Sequence, residues 1–354
     1  MKIITMIKKR QIGKLDLYVT EIGLGTAPLG GWPIAVDEQK ALETLETAWN
    51  NGIRYFDTAP LYGSGMSELR VGNFLKNKKR EDFVLSSKVG RVIIDTYQSK
   101  AAEKFIGSPN DKDSNFDFSY DGVMKSFEDS LTRLQLDKID ILHLHDPDNH
   151  PDHFEQARSG AIKAMIKLKE EGVVTALGCG LNQNEMLVEL AKEGCFDCFL
   201  LAGRYTLLDQ TSLEQLMPIC ENNNISLILG GVFNSGILIN PSPDSYFDYT
   251  KLDSSWFENL TKSLVRIPKD HESAEFWLNK ANSIKNACES FDTTLKKAAI
   301  QFPYFNKTVS SCILGMNSSN QVIENIDDYN RKLPSSFWEY LKNNKFIDER
   351  SKIS

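Results

Sequence analysis

The sequence lacks several features that mark particular classes of protein. No apolar run reaches the length of a membrane-spanning helix, and the amino-terminal residues show no extended apolar segment of a signal peptide. There is also no excess of basic residues: 41 Lys and Arg stand against 48 Asp and Glu, for a net charge of −7. Nucleic acid and anionic membranes both require a positive face. We therefore expect neither as a partner, and we expect a cytoplasmic protein.

Cysteine and histidine are scarce as well. Six cysteines lie at positions 179, 195, 198, 220, 288 and 312 without the regular spacing of a disulfide framework, which is typical of reduced thiols. Cys195 and Cys198 form a single CxxC, with no second pair and only five histidines in the chain. A zinc site or a redox pair is therefore less favoured than buried apolar cysteines, and we expect no metal.

What is present is a repeated alternation of short apolar runs and longer amphipathic stretches. The runs predict strands at 21–27, 53–59, 83–90, 138–146, 174–182, 198–205, 226–233 and 309–316. The stretches predict helices at 37–52, 119–136, 160–172, 182–194, 210–223 and 273–291. Right-handed crossovers between about eight strands favour a (β/α)8 barrel, the TIM-barrel fold. A doubly wound open sheet is the alternative.

We expect one domain over residues 1–354, with its core at about 10–330 and a charged tail at 331–354. Two strand-like pieces around Gly13 predict a hairpin that plugs the bottom of the barrel. The connections 91–119 and 234–272 follow the third and seventh predicted strands and are too long for simple loops. Both carry aromatic residues, so we expect ordered lids over a pocket: Tyr97, Phe105, Phe116, Phe118, and Tyr246, Phe247, Tyr249, Trp256, Phe257. The alternative is that these aromatics only pack the loops onto the scaffold.

Four chemically active side chains fall at or just after the ends of consecutive predicted strands. Asp57 ends the second strand and Tyr62 follows it; Lys88 ends the third, and His145 ends the fourth. Each alone has an ordinary explanation, such as a turn cap, a solvated lysine or a core histidine. In a barrel, however, the carboxyl ends of the strands converge on one face, where active sites form.

Their chemistry is complementary. A phenol has an ordinary pKa of about 10, and a nearby ammonium ion lowers it by favouring the phenolate. Lys88 can supply that charge to Tyr62, Asp57 can orient Lys88, and His145 can orient a substrate oxygen. This is a general acid–base site for alcohol–carbonyl interconversion. The hydride requires a cofactor, because no side chain accepts one.

These motifs resemble the aldo-keto reductase superfamily of NAD(P)-dependent (β/α)8 barrels, and the resemblance runs from about residue 10 to 330. "GIRYFDTAPLYGSGMSE" resembles the second-strand signature, "VLSSKVG" the segment with the catalytic lysine, and "IDILHLHDPD" the segment with the catalytic histidine. The resemblance implies that Tyr62 is the general acid/base, that Lys88 and Asp57 tune it, and that His145 orients the substrate. Counting from Asp140 selects His145 rather than His143.

The resemblance also implies a set of cofactor contacts. Gly25 and Thr26 match the glycine–threonine pair after the first strand, Asp57 lies beside the same site, and Asn182 matches the asparagine that holds the nicotinamide amide. The usual glutamine of the sixth strand is replaced by Ala202. After the seventh strand, "GGVFNSGIL" lies where the pyrophosphate is wrapped, which implies contacts from Gly231, Val232, Phe233, Asn234 and Gly236.

After the eighth strand, "LGMNSSNQVIEN" lies where the family binds the adenosine, which implies contacts from Gly315, Asn317, Gln321 and Asn325. Many NADP-preferring members carry a lysine near the position of Gly315 and an arginine near that of Gln321. Neither is present in this segment. A 2′-phosphate would be poorly compensated there, so we expect NAD or NADP as cofactor with NAD favoured.

"GLGTAPLGG" at 23–31 is close to a dinucleotide-binding GxGxxG, but Pro28 interrupts it and the next helix begins only near Asp37. The glycines are better explained by a tight first turn that passes close to the substrate.

Further motifs resemble one branch of the superfamily, which holds D-threo-aldose 1-dehydrogenase, L-fucose dehydrogenase and pyridoxal 4-dehydrogenase. They are "FSYDGVMKSFEDSLTRLQLDKIDILHLHDPD", "LLAGRYTLLDQ" and "GGVFNSGIL". This resemblance implies oxidation of a cyclic hemiacetal to a lactone, on a fucose- or galactose-like sugar first and on pyridoxal second. General aldehyde reduction with NADPH and a non-enzymatic, cofactor-sensing subunit are the remaining alternatives. The oligomeric state is not predicted.

Overall fold

Eight parallel strands close into a barrel. The structure is a computed structural model that describes residues 7–149, 151–242 and 274–353. In chain order the barrel strands are β3 (Ile22–Gly25), β4 (Tyr55–Asp57), β5 (Val84–Val89), β8 (Ile139–His145), β9 (Val174–Leu181), β10 (Cys198–Ala202), β11 (Ser226–Gly230) and β12 (Val309–Gly315). Pairing of β12 with β3 completes the ring. The predicted (β/α)8 barrel is confirmed, and the open sheet is wrong.

The main helices cover the outside of this barrel. They span Glu38–Asn50, Met66–Leu75, Tyr120–Leu134, Ile162–Glu170, Asn184–Ala191, Leu216–Asn223, Ala274–Ser290, Leu295–Gln301, Ser319–Asn330 and Ser335–Asn343. Asp37 caps the first of them by accepting a hydrogen bond from the Lys40 amide, as its sequence position predicts. The sequence analysis did not predict Met66–Leu75 or the last three helices.

A hairpin of β1 (Lys9–Gln11) and β2 (Tyr18–Thr20) closes the bottom of the barrel. Ile12, Leu17 and Val19 are buried against the barrel's own interior side chains, among them Tyr55 and Ile141. This separates the interior from solvent at the amino-terminal ends of the strands. The predicted plug is therefore present.

The connection after β5 is ordered and has its own structure. β6 (Arg91–Asp95) pairs with β7 (Lys112–Phe116) as an antiparallel hairpin, and a short helix, Ala101–Lys104, lies between them. Of its aromatics, Phe105 is buried whereas Tyr97 is fully exposed. Phe116 and Phe118 stack on each other at a centroid distance of 5.7 Å. We call residues 91–116 the hairpin lid.

Only the start of the second long connection lies within the described residues. Asn234–Gly236 form a 3-10 turn, and Ile237 and Leu238 are buried. The predicted lid aromatics at 246, 247, 249, 256 and 257 lie outside the described residues.

The carboxyl-terminal segment is packed onto the barrel. Helix Ser335–Asn343 buries Phe337, Trp338 and Leu341. Beyond it, the Asp348 amide donates to Gln210 Oε1 at 3.1 Å, next to the loop that follows β10. The predicted charged tail is thus held at its start by apolar burial.

Two features of the part of the chain that the structure describes concern membrane-spanning helices and cysteines. No helix there is long and apolar enough to cross a membrane. All six cysteines are free thiols, and five of them are buried. Burial raises the pKa of Cys195, the more exposed member of the CxxC, to about 11. A thiol in that state is a weak nucleophile at neutral pH.

One packing contact inside the barrel depends on a glycine. A Cβ added at Gly178 would lie 2.3 Å from His143 Nδ1, whereas one added at Gly180 would have 3.8 Å of clearance. We expect Gly178→Ala to lower the free energy of unfolding by about 1–3 kcal/mol through overpacking. Gly180→Ala, on the same strand and face, is the matched control and should change it by less than about 0.5 kcal/mol.

Urea unfolding measures the free energy of unfolding of both variants. The double variant with His143→Ala should recover part of the Gly178→Ala loss, because the clash partner is gone. Equal effects of Gly178→Ala and Gly180→Ala would contradict this packing explanation.

Candidate active site

A buried ion pair joins the second and third barrel strands at their carboxyl ends. Lys88 Nζ donates to Asp57 Oδ2 at 2.7 Å and to the Thr58 carbonyl at 2.9 Å. The other carboxylate oxygen of Asp57 accepts from Ser86 Oγ at 2.7 Å. β4 and β5 pair with Asp57 opposite Ser86, so Lys88, two residues further along, lies on the same interior face. Ser86 was missed by the sequence analysis, although its period-2 spacing from Lys88 was a usable signal.

The loop that carries Tyr62 is fixed by buried hydroxyl groups. Thr26 Oγ1 donates to the Asp57 carbonyl at 2.8 Å. Ser67 Oγ donates to Thr26 Oγ1 at 2.7 Å and lies 2.9 Å from Thr58 Oγ1. A Cβ at Gly30 would lie 2.7 Å from the Tyr62 carbonyl carbon. The first glycine-rich turn is therefore a close backbone support for the Tyr62 loop.

Tyr62 lies among the other three predicted residues. Lys88 Nζ is 4.7 Å from the centroid of its ring, and the His145 ring meets it edge-on at a centroid distance of 6.1 Å. Burial raises the pKa of Tyr62, and the lowering by Lys88 does not offset it. The lowering by Lys88 that the sequence predicts is present, but burial, which the sequence does not reveal, outweighs it.

The charge state of Lys88 is set by the same two neighbours. Burial lowers its pKa, but Asp57 and Tyr62 outweigh burial, so the net pKa is raised. Lys88 therefore stays an ammonium ion at neutral pH.

Two histidines of β8 point into the barrel, and both are neutral. Burial lowers the pKa of His145 to about 3, and burial together with Lys88 lowers the pKa of His143 well below its usual value. His145 is at the strand end beside Tyr62. His143 lies two residues earlier on β8, opposite Lys88 of the neighbouring strand β5, and packs on Gly178. Of the two, His145 is the one whose ring contacts Tyr62.

A second charged pair lies at the mouth of the site. Arg91 of the hairpin lid donates from Nη2 to Asp146 Oδ2 at 3.1 Å, and the same oxygen is 3.6 Å from His145 Nε2. Burial disfavours the Asp146 carboxylate, but His145 and Arg91 outweigh it and lower the pKa of Asp146. The sequence analysis did not select these residues, because contact between a lid and a strand end is a long-range feature.

Aromatic side chains form one wall of the same mouth. The Phe105 ring lies 6.2 Å from Tyr62 and 6.5 Å from Trp32, measured between centroids. Of the four aromatics predicted to cover the pocket from 91–119, Phe105 is the one in contact with Tyr62.

The residues predicted to hold the cofactor lie at the carboxyl ends of strands or just after them, except Gln321 and Asn325, which lie in the helix that follows β12. Gly25 and Thr26 are buried, and Thr26 is occupied by its contacts to Asp57 and Ser67. Asn182 is exposed, with its carbonyl accepting from Arg204 Nε at 2.8 Å.

The turn after β11 is rich in left-handed backbone. Gly231 has φ +58°, Asn234 +43° and Gly236 +104°. Gly231 is exposed, Phe233 is half-buried and Val232 is buried. The buried Asn234 side chain donates to the Gly203 carbonyl at 3.1 Å, so it links the turns after β10 and β11. Residues 230–238 carry no acidic side chain, and such a turn suits an anion.

The turn after β12 is also uncharged. Gly315 and Gln321 are exposed, and Asn325 is buried in the following helix. Gln321 Oε1 accepts from the Asn317 amide at 2.9 Å, and Ser318 caps helix Ser319–Asn330. The two turns together provide neutral, glycine-containing surfaces that fit the pyrophosphate and adenosine of a dinucleotide.

Comparison with known proteins shows the family to which this barrel belongs. The Aldo/keto reductase family model matches residues 21–344. The chain belongs to this family, whose enzymes use NAD(P)H.

Among its relatives is the pyridoxal 4-dehydrogenase of Microbacterium luteolum, 35% identical over 96% of this chain and 98% of that protein. The D-threo-aldose 1-dehydrogenase of a Pseudomonas species is 34% identical over 94% and 95%. The L-galactose dehydrogenase of Arabidopsis thaliana is 30% identical over 91% and 88%. The holo form of aldo-keto reductase AKR11C1 from Bacillus halodurans has the same fold, with a TM-score of 0.70, 24% identity and 97% of each chain covered.

The neutral state of His145 makes stability depend on pH. An imidazole in an unfolded chain has a pKa of about 6.5, and folding lowers that of His145 to about 3. Between these values the unfolded chain binds the extra proton, so stability falls as the pH falls. We expect His145→Gln to reduce this fall by up to about 1.4 kcal/mol per pH unit. Denaturant unfolding between pH 7 and pH 4 measures it, and an unchanged pH dependence would refute it.

Proposed function

We propose that this protein oxidises the ring carbinol of an aldose hemiacetal to a lactone, with an L-fucose- or L-galactose-like sugar as substrate and NAD as the preferred cofactor. The observation that carries the proposal is the position of Tyr62 between the Lys88–Asp57 ion pair and neutral His145. The named activities of the two sugar-oxidising relatives supply the substrate class.

Tyr62 is the proposed base. In the oxidative direction its phenolate takes the hydroxyl proton of the substrate, and a nicotinamide cofactor, when bound, would supply the hydride acceptor. Because the pKa of Tyr62 is raised, the phenolate is scarce at neutral pH, and its fraction increases as the pH rises. The Lys88 ammonium stabilises the phenolate electrostatically, and Asp57 with Ser86 holds Lys88 in place.

His145 is the proposed orienting group. As a neutral imidazole it has one N–H, which can donate to the substrate oxygen without adding a charge to the site. Its low pKa keeps this state across the neutral range. The half-buried rings of Tyr62 and Trp32 provide apolar surface against which the carbon face of a sugar ring can pack, and the buried Phe105 ring lies against both of them.

Pyridoxal is the second candidate substrate, because a 35% identical relative is a pyridoxal 4-dehydrogenase. Pyridoxal also forms a cyclic hemiacetal, so the same proton transfer by Tyr62 applies. General aldehyde reduction with NADPH remains a weaker alternative, and a purely cofactor-sensing role is the weakest, since the four side chains are all in place.

A substrate panel tests the proposal. We expect NADH to form with L-fucose or L-galactose faster than with D-arabinose or pyridoxal, followed by absorbance at saturating NAD+. Tyr62→Phe should lower kcat by at least about 100-fold, since it removes the acid–base group, while cofactor binding is retained. Tyr97→Phe is the matched control, because Tyr97 is a fully exposed tyrosine on the lid.

The outcomes separate the alternatives. Faster turnover of pyridoxal than of any sugar favours the second candidate. Reduction of simple aldehydes with NADPH, and no oxidation of any of these substrates, would refute the proposal. Full activity in Tyr62→Phe would refute the role of Tyr62.

The charges near the turn after β12 favour NAD. A groove there is lined by Asp37, Lys40 and Glu43 from the first helix region and by residues 318–320. Two carboxylates and one ammonium leave an acidic balance, so a 2′-phosphate bound there would lack full compensation. Lys40 is a cation that the sequence analysis did not consider.

We therefore expect the Kd of NAD+ to be no higher than that of NADP+, measured by fluorescence titration. Lys40→Ala tests the cation that lines this groove and should weaken NADP+ binding more than NAD+ binding. A Kd for NADP+ about tenfold or more below that for NAD+ would contradict the NAD preference.

A further inference from the structure

We propose that Asp146 and Arg91 form a specificity site for the hydroxyl group on the carbon next to the reacting carbinol. In an aldose this is the 2-hydroxyl. The inference rests on the proposed function for the identity of the reacting oxygen, and it adds the residues that select a hydroxylated neighbour.

The short distance between Asp146 and His145 puts the carboxylate near the expected position of that hydroxyl. Asp146 Oδ2 is 3.6 Å from His145 Nε2, the nitrogen that faces the carboxylate. Hydroxyl groups on adjacent ring carbons are separated by about one hydrogen-bond length. A substrate whose reacting oxygen binds His145 therefore brings its neighbouring hydroxyl within reach of the Asp146 carboxylate. Ionised carboxylates accept such hydrogen bonds strongly.

The position of Asp146 is set by its backbone. Its φ is +50°, in the left-handed region that a residue other than glycine seldom adopts. The strained turn is held by a hydrogen bond from the Asp146 amide to the Gly180 carbonyl at 3.1 Å. Strain of this kind concentrates at functional positions, and here it directs the side chain back toward His145 instead of away from the strand end.

Arg91 completes the pair from the hairpin lid. Its guanidinium lies 3.8 Å from the centroid of the Phe116 ring, which fixes the plane of the group through a cation–π contact. Its Nη2 binds Asp146 Oδ2, and the side chains of Arg91 and Asp146 are 13% and 22% exposed. The pair is thus held in place yet still accessible from the mouth, and it offers both an acceptor and donors to a hydroxyl.

The neighbouring groups keep this pair ionised. Lys104 of the lid adds positive charge near Asp146, and Asp148 behind it is buried and accepts a hydrogen bond from Gln183. Burial and Asp146 raise the pKa of Asp148 to about 7. The more exposed Asp146 is therefore the stronger candidate for the carboxylate that meets the substrate.

The chemistry of the pair separates the two substrate classes. A neutral hydroxyl can donate to Asp146 and accept from Arg91 at once. The phenolic oxygen of pyridoxal is one carbon further from the reacting carbon than a sugar 2-hydroxyl is, and when ionised it has no proton to donate to Asp146. The pair therefore favours a sugar hydroxyl next to the reacting centre.

Matched substrates test the inference. We expect wild-type enzyme with NAD+ to have a kcat/KM for L-galactose or L-fucose at least about tenfold above that for the corresponding 2-deoxy sugar, because a lost hydrogen bond to a charged group has about that effect. Asp146→Asn should reduce this ratio to about threefold or less. Asp95→Asn is the matched control: it removes one carboxylate from the exposed end of the same hairpin and should leave the ratio unchanged.

A second pair of substrates keeps the test independent of lactone formation. In the reductive direction, 2-hydroxypropanal and propanal differ only in the neighbouring hydroxyl, and the same ratios should appear with NADH or NADPH. If wild type oxidises no sugar but Asp146→Asn still removes discrimination between the aldehydes, the proposed function fails and the specificity site stands.

The opposite results overturn the inference. The inference fails if the kcat/KM ratio is unchanged in Asp146→Asn. It also fails if the wild-type ratio is near one for both substrate pairs, because the Asp146–Arg91 pair then does not bind the neighbouring hydroxyl. Loss of discrimination in Asp95→Asn as well would assign the effect to the overall charge of the lid instead of to Asp146.

Discussion

The buried contact between Lys88 and Asp57 is the interaction on which the site depends. Their side chains are 2% and 4% exposed, and removing two such charges from water costs several kcal/mol per ion. The 2.7 Å contact, the Thr58 carbonyl and Ser86 together offset that cost. Truncating Asp57 would leave an unpaired ammonium ion in the barrel, which is more damaging than loss of the pair as a whole. The ion pair therefore constrains β4 and β5 to one register.

That register places the remaining groups. With Asp57 opposite Ser86, the chain leaving β4 must turn back within five residues to bring Tyr62 over Lys88. Thr26, Ser67 and Gly30 provide the hydrogen bonds and the close backbone approach that this turn needs. The glycines of the first turn, which in sequence resemble part of a dinucleotide-binding motif, are thus explained by the support of a loop.

Much of this arrangement was predictable from the sequence, for definite physical reasons. Parallel strands buried on both faces produce continuous apolar runs, so all eight barrel strands were located, and convergence at the carboxyl ends of the strands selected Asp57, Lys88 and His145. The lid strand Lys112–Phe116 was missed because its sequence, KDSNF, is polar and pairs only with β6. The contact of Arg91 with Asp146 joins residues 55 positions apart and has no local pattern. The raised pKa of Tyr62 could not be predicted because desolvation depends on packing, whereas the charge of Lys88 can be read from the sequence.

Burial and charge pairing together set the electrostatics of the site. Burial holds Tyr62 protonated and His145 unprotonated, so both are neutral, while each fully charged group beside them has a partner of opposite sign: Lys88 with Asp57, and Arg91 with Asp146. A site whose fixed charges are already paired binds a neutral substrate without an uncompensated charge. A proton that moves to or from Tyr62 then changes the net charge of the site next to Lys88, where the ammonium ion stabilises the phenolate. The Lys88–Asp57 pair thus stabilises the phenolate that forms when Tyr62 loses its proton, whereas the Arg91–Asp146 pair binds the substrate. These separate roles explain why one barrel mouth contains both pairs.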